Sequence, residues 1–192
     1  MEKQVLKSIF LKEINLTDNE FDDIATFFKK KEIKKKEHLI VAGRRTNELA
    51  FVISGAVYSY IMNANGEKTV IRFAFENSMI GDLNSFFTGE CSDLNVAALE
   101  DTLLLKITFN DLQIITERYP AVEKFLRVLI QNLYIQSQKR LFSTINQDAK
   151  ERYLLLLKSF PNIAQRAPQS IIASYLGIKV QSLSRIRKRL FS

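Results

Sequence analysis

The apolar positions of this chain change rhythm twice, and the changes divide it. Phe21, Ile24, Ala25, Phe27 and Phe28 recur at helical spacing behind Thr17-Asp18-Asn19-Glu20. A Thr three residues ahead of a Glu forms a capping box, so the spacing predicts a helix that starts there. Its end runs into Lys29, Lys30 and Lys31, where a helix dipole favours positive charge. The Lys34-Lys35-Lys36 run beyond it reads as a solvated turn or strand edge.

From about Ile33 to Ile107 the apolar runs become short: Leu39–Val41, Leu49–Ile53, Val57–Ile61, Thr69–Phe75, Met79-Ile80, Val96–Leu99 and Leu103–Ile107. Gly43, Gly55, Gly66, Gly81 and Gly89 punctuate them. Asn63-Ala64-Asn65-Gly66 is a hairpin signal, because Asn and Gly tolerate the positive φ of tight turns. Short strands at this spacing predict a sandwich or barrel of jelly-roll type.

Beyond Thr108 the rhythm is helical. Thr108 and Asp111 cap a short helix carrying Leu112, Ile114 and Ile115. Tyr119-Pro120 opens a long one, with Pro120 suited to the first turn. If it reaches Phe142 it is roughly 36 Å long at 1.5 Å per residue. Val122, Leu126, Leu129, Leu133, Gln136 and Arg140 recur along it at alternating steps of four and three, the seam of a coiled coil. Such a seam makes a dimer interface or the core face of a monomer. Phe125, Val128, Ile130, Tyr134 and Ile135 make other faces apolar too, so the helix also packs on its own barrel. A further helix, about Gln147–Phe160, places Tyr153, Leu154, Leu156 and Leu157 against a core, and Pro161 and Pro168 bound a loop. The fold class is therefore α+β. Residues 1–118 form a barrel domain, 119–146 a dimerisation helix and hinge, and 147–192 a small helical domain.

Charge sharpens the last division. The net charge is +7, and residues 1–144 balance to zero. Residues 145–192 hold nine Lys or Arg against Asp148 and Glu151, and from Phe160 to Ser192 there is no acid at all. A basic surface of this kind is either a solvated face or a binding face for polyanions.

The segment Gln169–Leu190 decides between them. Two short helices that cross closely need a small residue at the crossing and a left-handed residue at the turn; Ala173 and Gly177 supply these. Ile172, Leu176, Ile178, Leu183 and Ile186 fall where the shared core needs apolar side chains. The second helix, about Val180–Phe191, presents Gln181, Ser182, Ser184, Arg185, Lys188 and Arg189 outward, types that donate to phosphates and read base edges. This is a helix-turn-helix.

With these residues in place, the chain resembles the Crp–Fnr superfamily of transcription regulators. The resemblance runs through Ile53-Ser54-Gly55 and Tyr58, Asn65-Gly66-Glu67, Ile80-Gly81-Asp82-Leu83 and Ala98-Leu99-Glu100. It continues through the long helix into Ile172-Ala173-Ser174-Tyr175-Leu176-Gly177-Ile178 and Ser184-Arg185-Ile186-Arg187. It implies a cyclic-nucleotide-binding-type β-roll, a homodimer through Val122, Leu126, Leu129, Leu133 and Gln136, and a palindromic operator. Two recognition helices would enter major grooves about 34 Å apart. Double-stranded DNA, a second copy of the chain and RNA polymerase are the implied partners. Arg185 takes the position of a guanine-reading arginine, and Gln181 stands where the family often carries an acidic reader. Val180 replaces a basic residue, so the operator differs. Lys179, Ser182 and Lys188 are the implied phosphate contacts. The family continues into a β-wing, so the end of the chain at Ser192 implies a truncated or absent wing.

The sensor segment departs from the family. Relatives that bind cyclic AMP begin a phosphate-binding segment with Gly-Glu-Leu, followed by an arginine and a small hydroxyl residue. Here Gly81, Asp82 and Leu83 keep the start, but Ser92 and Asp93 occupy the arginine and hydroxyl positions. Asn84–Glu100 holds no Lys or Arg. A phosphate in a partly buried pocket needs a positive partner, so cyclic AMP is not expected to bind. The pocket is left for an apolar or uncharged ligand, or for none.

Other chemistries lack residues. One cysteine, Cys91, excludes an internal disulfide and an iron–sulfur cluster, and one histidine, His38, is too few for a metal enzyme. No phosphate loop or nucleophile elbow is present, so neither a cofactor nor catalysis is expected. The N-terminus lacks a signal-peptide pattern and no apolar run would span a bilayer, which together with the cysteine usage places the protein in the cytoplasm. The reading that competes with DNA binding is a regulatory protein whose basic terminal helices dock on an acidic protein partner.

Overall fold

The computed structural model describes residues 2–191, Phe191 by its backbone alone. The chain opens with α1 (Glu2–Leu11) and α2 (Asp18–Thr26) and continues into β1 (Lys29–Ile33), β2 (His38–Ile40), β3 (Glu48–Ser54), β4 (Val57–Met62), β5 (Lys68–Ala74) and β6 (Met79–Ile80). After α3 (Leu83–Thr88) come β7 (Asn95–Ala98) and β8 (Thr102–Thr108). The rest is helical: α4 (Phe109–Arg118), α5 (Pro120–Asn146), α6 (Ala149–Ser159), α7 (Ile163–Arg166), α8 (Gln169–Leu176) and α9 (Val180–Phe191). No helix among the described residues is long and apolar enough to cross a membrane.

The strands form two four-stranded sheets, ordered β1-β8-β3-β6 and β2-β7-β4-β5. Between them lies an apolar core to which all eight strands contribute, among them Ile33, Ile40, Val52, Val57, Ala74, Ile80, Val96 and Leu104. Successive strand residues point to opposite faces, so β3 turns Ala50 and Val52 into this core and Leu49, Phe51 and Ile53 into a second one. Helices close the second core: Leu6 and Phe10 of α1, Phe21 and Ile24 of α2, Phe86 of α3, Leu112 and Ile115 of α4, and Val122 and Phe125 of α5. Both faces of β3 are thus covered, which is why five of its seven residues are buried without a break. At its end Gly55 holds φ +93°, and a Cβ there would lie 2.6 Å from the Asp101 carbonyl oxygen, so the tight passage into β4 admits only glycine.

By its contacts the chain divides into two compact units. The first comprises Met1–Ser59 and Phe73–Leu133, the second Tyr60–Arg72 and Tyr134–Ser192. The second therefore joins the β4–β5 hairpin tip, the end of α5 and helices α6 to α9. Its helical core is Tyr153, Leu156, Ile163, Ala167, Ile172, Ala173, Leu176 and Leu183, all buried.

Several local expectations are corrected. The capping box at Thr17 and Glu20 is present, but α2 ends at Thr26, and Lys29, Lys30 and Lys31 lie in strand β1, paired with β8. Four of the five β1 residues are exposed, and lysines on such an edge strand hide the alternation that marks a strand. Leu154 is exposed, because α6 turns Tyr153 and Leu156 inward and shows Leu154 and Leu155 to solvent. The loop between Pro161 and Pro168 contains α7, and α5 runs four residues past Phe142. The expectation about the wing rests on Ser192, outside the described residues.

Candidate nucleic-acid interface

Helix α8 begins after Pro168, which holds φ −57° and ψ 145° at the N-cap. It ends at Gly177 in the left-handed conformation, φ +66°. The Gly177 N–H donates to the Ser174 carbonyl (3.1 Å) and the Ile178 N–H to that of Ala173 (3.0 Å). That pair of bonds is a Schellman motif, which fixes the direction of the chain after the helix. A residue with a Cβ would be strained at this φ, although nothing lies within 4 Å of where the atom would sit. Two arginines act on the same helix end. Arg140 of α5 donates to the Tyr175 carbonyl (3.0 Å) and Arg152 of α6 to the Leu176 carbonyl (3.0 Å). Both place positive charge at the negative pole of the α8 dipole. Burial pushes the Arg140 guanidinium below its ordinary pKa, and Tyr175 opposes the shift.

Lys179 links the turn to α9, its carbonyl accepting from the Ser182 and Leu183 N–H groups. Leu183 is fully buried, and Ile186 and Leu190 on the same face are half-buried. The opposite face carries Gln181, Ser182, Ser184, Arg185, Lys188 and Arg189, every one exposed, as is Lys179 before it. Arg187 is half-buried at the boundary. The helix thus offers a continuous acid-free row of donors, suited to phosphate oxygens and base-edge acceptors.

The residues named for a sensor pocket lie in the first unit, and two of them meet. Asp82 is buried as the N-cap of α3, accepting from the Asn84 N–H at 3.0 Å. Its other oxygen lies 2.7 Å from the Ser92 hydroxyl, which also accepts from the Leu94 N–H at 3.1 Å. The single Ser92 proton is best spent on the carboxylate, the stronger acceptor. Gly81 is half-buried beside them, and a Cβ there would come within 2.5 Å of Leu49 Cδ2. Leu83 is half-buried and Asp93 exposed. The pattern around Asp82 is therefore a helix cap tied to the next strand's approach, a role that the Asp82-x-Asn84 order could have signalled.

Of the α5 seam, Val122 is wholly buried in its own unit's core, and Leu126, Leu129 and Leu133 are partly buried against that same core. Gln136 is exposed, as are Tyr134, Ile135, Leu141, Phe142 and Ile145. Arg140, the last polar member of the seam, is engaged within its own chain. His38 and Cys91 are exposed and far apart in sequence; Cys91 forms an isolated bridge with Arg45.

The family model of the cyclic nucleotide-binding domain matches residues 30–119. Among curated relatives, the fumarate and nitrate reduction regulatory protein of Vibrio cholerae is 25% identical, over 91% of this chain and 74% of that one. Among solved structures, FixK2 from Bradyrhizobium japonicum superposes with a TM-score of 0.76 at 18% identity, covering 85% of this chain and 84% of its own. The catabolite activator protein of Thermus thermophilus superposes with a TM-score of 0.59 at 20% identity, over 92% and 84%. The shared architecture is a β-roll followed by a long helix and a terminal helical unit.

Proposed function

We propose that this chain, a member of the Crp–Fnr superfamily of transcription regulators, binds a palindromic duplex as a homodimer through the outward face of α9. The observation that carries this reading is that face itself: Gln181, Ser182, Ser184, Arg185, Lys188 and Arg189 are all exposed on one helix that Leu183 anchors. Arg185 is the guanine reader, since a guanidinium pairs with the two acceptors of a guanine edge in the major groove. Gln181 reads a neighbouring base, and Lys179, Ser182, Ser184, Lys188 and Arg189 hold phosphates. Leu126, Leu129, Leu133 and Gln136 face the partner copy, joined by exposed Tyr134, Leu141 and Ile145 farther along α5; Val122 serves its own core.

Duplex binding by phosphate neutralisation has a measurable signature. The logarithm of the binding constant falls with the logarithm of salt by about 0.9 for each phosphate contacted. Titrating random duplex at several salt concentrations should give a slope several times that value. Absence of duplex binding at low salt would instead favour an acidic protein partner.

We infer further that the sensor pocket does not take cyclic AMP. Asp82 and Ser92 are buried and spent on each other and on backbone groups, and Asn84–Glu100 supplies no cation for a cyclic phosphate. Saturating cyclic AMP should leave the thermal unfolding midpoint unchanged; a rise that grows with nucleotide concentration would show the inference wrong.

A further inference from the structure

Strand β5 lies at the edge of its sheet, so one row of its backbone N–H and C=O groups faces away from β4. Within the second unit, two side chains bond to the backbone of this strand. Ser174 of α8 accepts from the Val70 N–H at 3.0 Å and donates to the Lys68 carbonyl at 2.5 Å. Arg140 of α5 donates to the carbonyls of Val70 (2.7 Å) and Ile71 while also holding that of Tyr175 (3.0 Å). Its guanidinium lies 3.8 Å from the centre of the Tyr175 ring. Every acceptor and donor on the strand is main chain, so these bonds report where β5 runs, whatever side chains it carries.

What they hold is the first helix of the helix-turn-helix. The bonds at Gly177 pass the position of α8 on to α9, and in this clamped arrangement the whole reading face of α9 is exposed. The contact therefore presents the recognition helix openly and does not mask it.

We propose that Ser174 and Arg140 are positioning residues for DNA recognition, clamping the helix-turn-helix to edge strand β5 so that the β4–β5 hairpin sets how α9 is presented. This rests on the DNA-binding reading above. Orientation matters to a two-fold operator, where both helices must fit together, and little to random duplex, where phosphate attraction dominates.

The test uses the full chain and the variants Ser174→Ala, Arg140→Gln and their double. Amide exchange is followed without DNA, and affinity is measured for a selected palindrome and for random duplex. In Ser174→Ala the Val70 amide and the amides of α8 should exchange about tenfold faster, while those of β3 and β8 hold. Affinity for the palindrome should fall about tenfold in each single variant, with random-duplex affinity nearly unchanged. The double variant should lose less than the product of the two, because both side chains act on one segment. Unchanged exchange in α8 and unchanged palindrome affinity would overturn the clamp. So would faster exchange that extends to β3 and β8 with equal losses on both duplexes, the mark of general weakening. Should the wild type bind no duplex, the DNA reading fails by itself. Exchange then decides the clamp: release of Val70 together with α8 supports it, and no release overturns it.

Discussion

Arg185→Ala is expected to remove much of the distinction between operator and random duplex while leaving the fold intact. Arg185 is exposed on α9, two residues and so about 200° around the helix from buried Leu183, and its removal creates no cavity. A bidentate contact to guanine is worth about 1–3 kcal/mol of discrimination, and a symmetric dimer makes it twice, giving about 2–6 kcal/mol in all. Neighbouring Lys188, read as a phosphate contact, gives the internal contrast: Lys188→Ala should weaken all duplexes alike and reduce the salt slope by about 1 for each site. Competition binding with a selected palindrome against random duplex separates the two. Equal losses on both duplexes in Arg185→Ala would make it a phosphate contact and move base reading to Gln181 or Ser184.

The largest expected effect on stability belongs to Phe10→Ala. Phe10 is 1% exposed, stacked on Phe125 with ring centres 4.1 Å apart and edge-on to Phe21 and Phe28 at 6.3 and 6.0 Å. It thus joins α1 to α2 and α5 and, through Phe51 at 6.4 Å, to the barrel wall. Truncating a buried Phe costs about 3–5 kcal/mol, because the cavity left behind collapses only in part. Denaturant unfolding should show the midpoint falling at unchanged slope. A cost under about 1 kcal/mol would mean that α1 is not part of the folded unit.

The elements that sequence reading located are those whose signal is local. Seven of the strands carry inward-facing β-branched or aromatic side chains between turn residues, and the Thr17, Thr108 and Gly177 caps need only neighbours a few residues away. The helix-turn-helix was legible for the same reason: Ala173, Gly177 and Leu183 satisfy steric demands within one short segment. The β-strand Lys29–Ile33 was not, because an edge strand that shows four of its five residues to solvent has no alternation. Helix α1 does carry a signal, Leu6, Ile9 and Phe10 at helical spacing, but only the aromatic cluster in the fold explains why a helix sits there. Ser92 lies ten residues beyond Asp82, and the partners of Arg140 lie 35 to 70 residues away. The Val70, Ile71 and Tyr175 carbonyls cannot be assigned from spacing, since backbone acceptors leave no mark on side-chain pattern.

The central claim is that α9 reads a two-fold symmetric DNA site. Selecting bound duplexes from a random pool with the purified full-length protein tests it most directly. The account predicts enrichment of an inverted repeat whose half-sites lie about one helical turn apart, with a guanine in each half-site that Arg185→Ala no longer selects. Duplexes recovered with no shared sequence, or an asymmetric motif indifferent to Arg185, would contradict it.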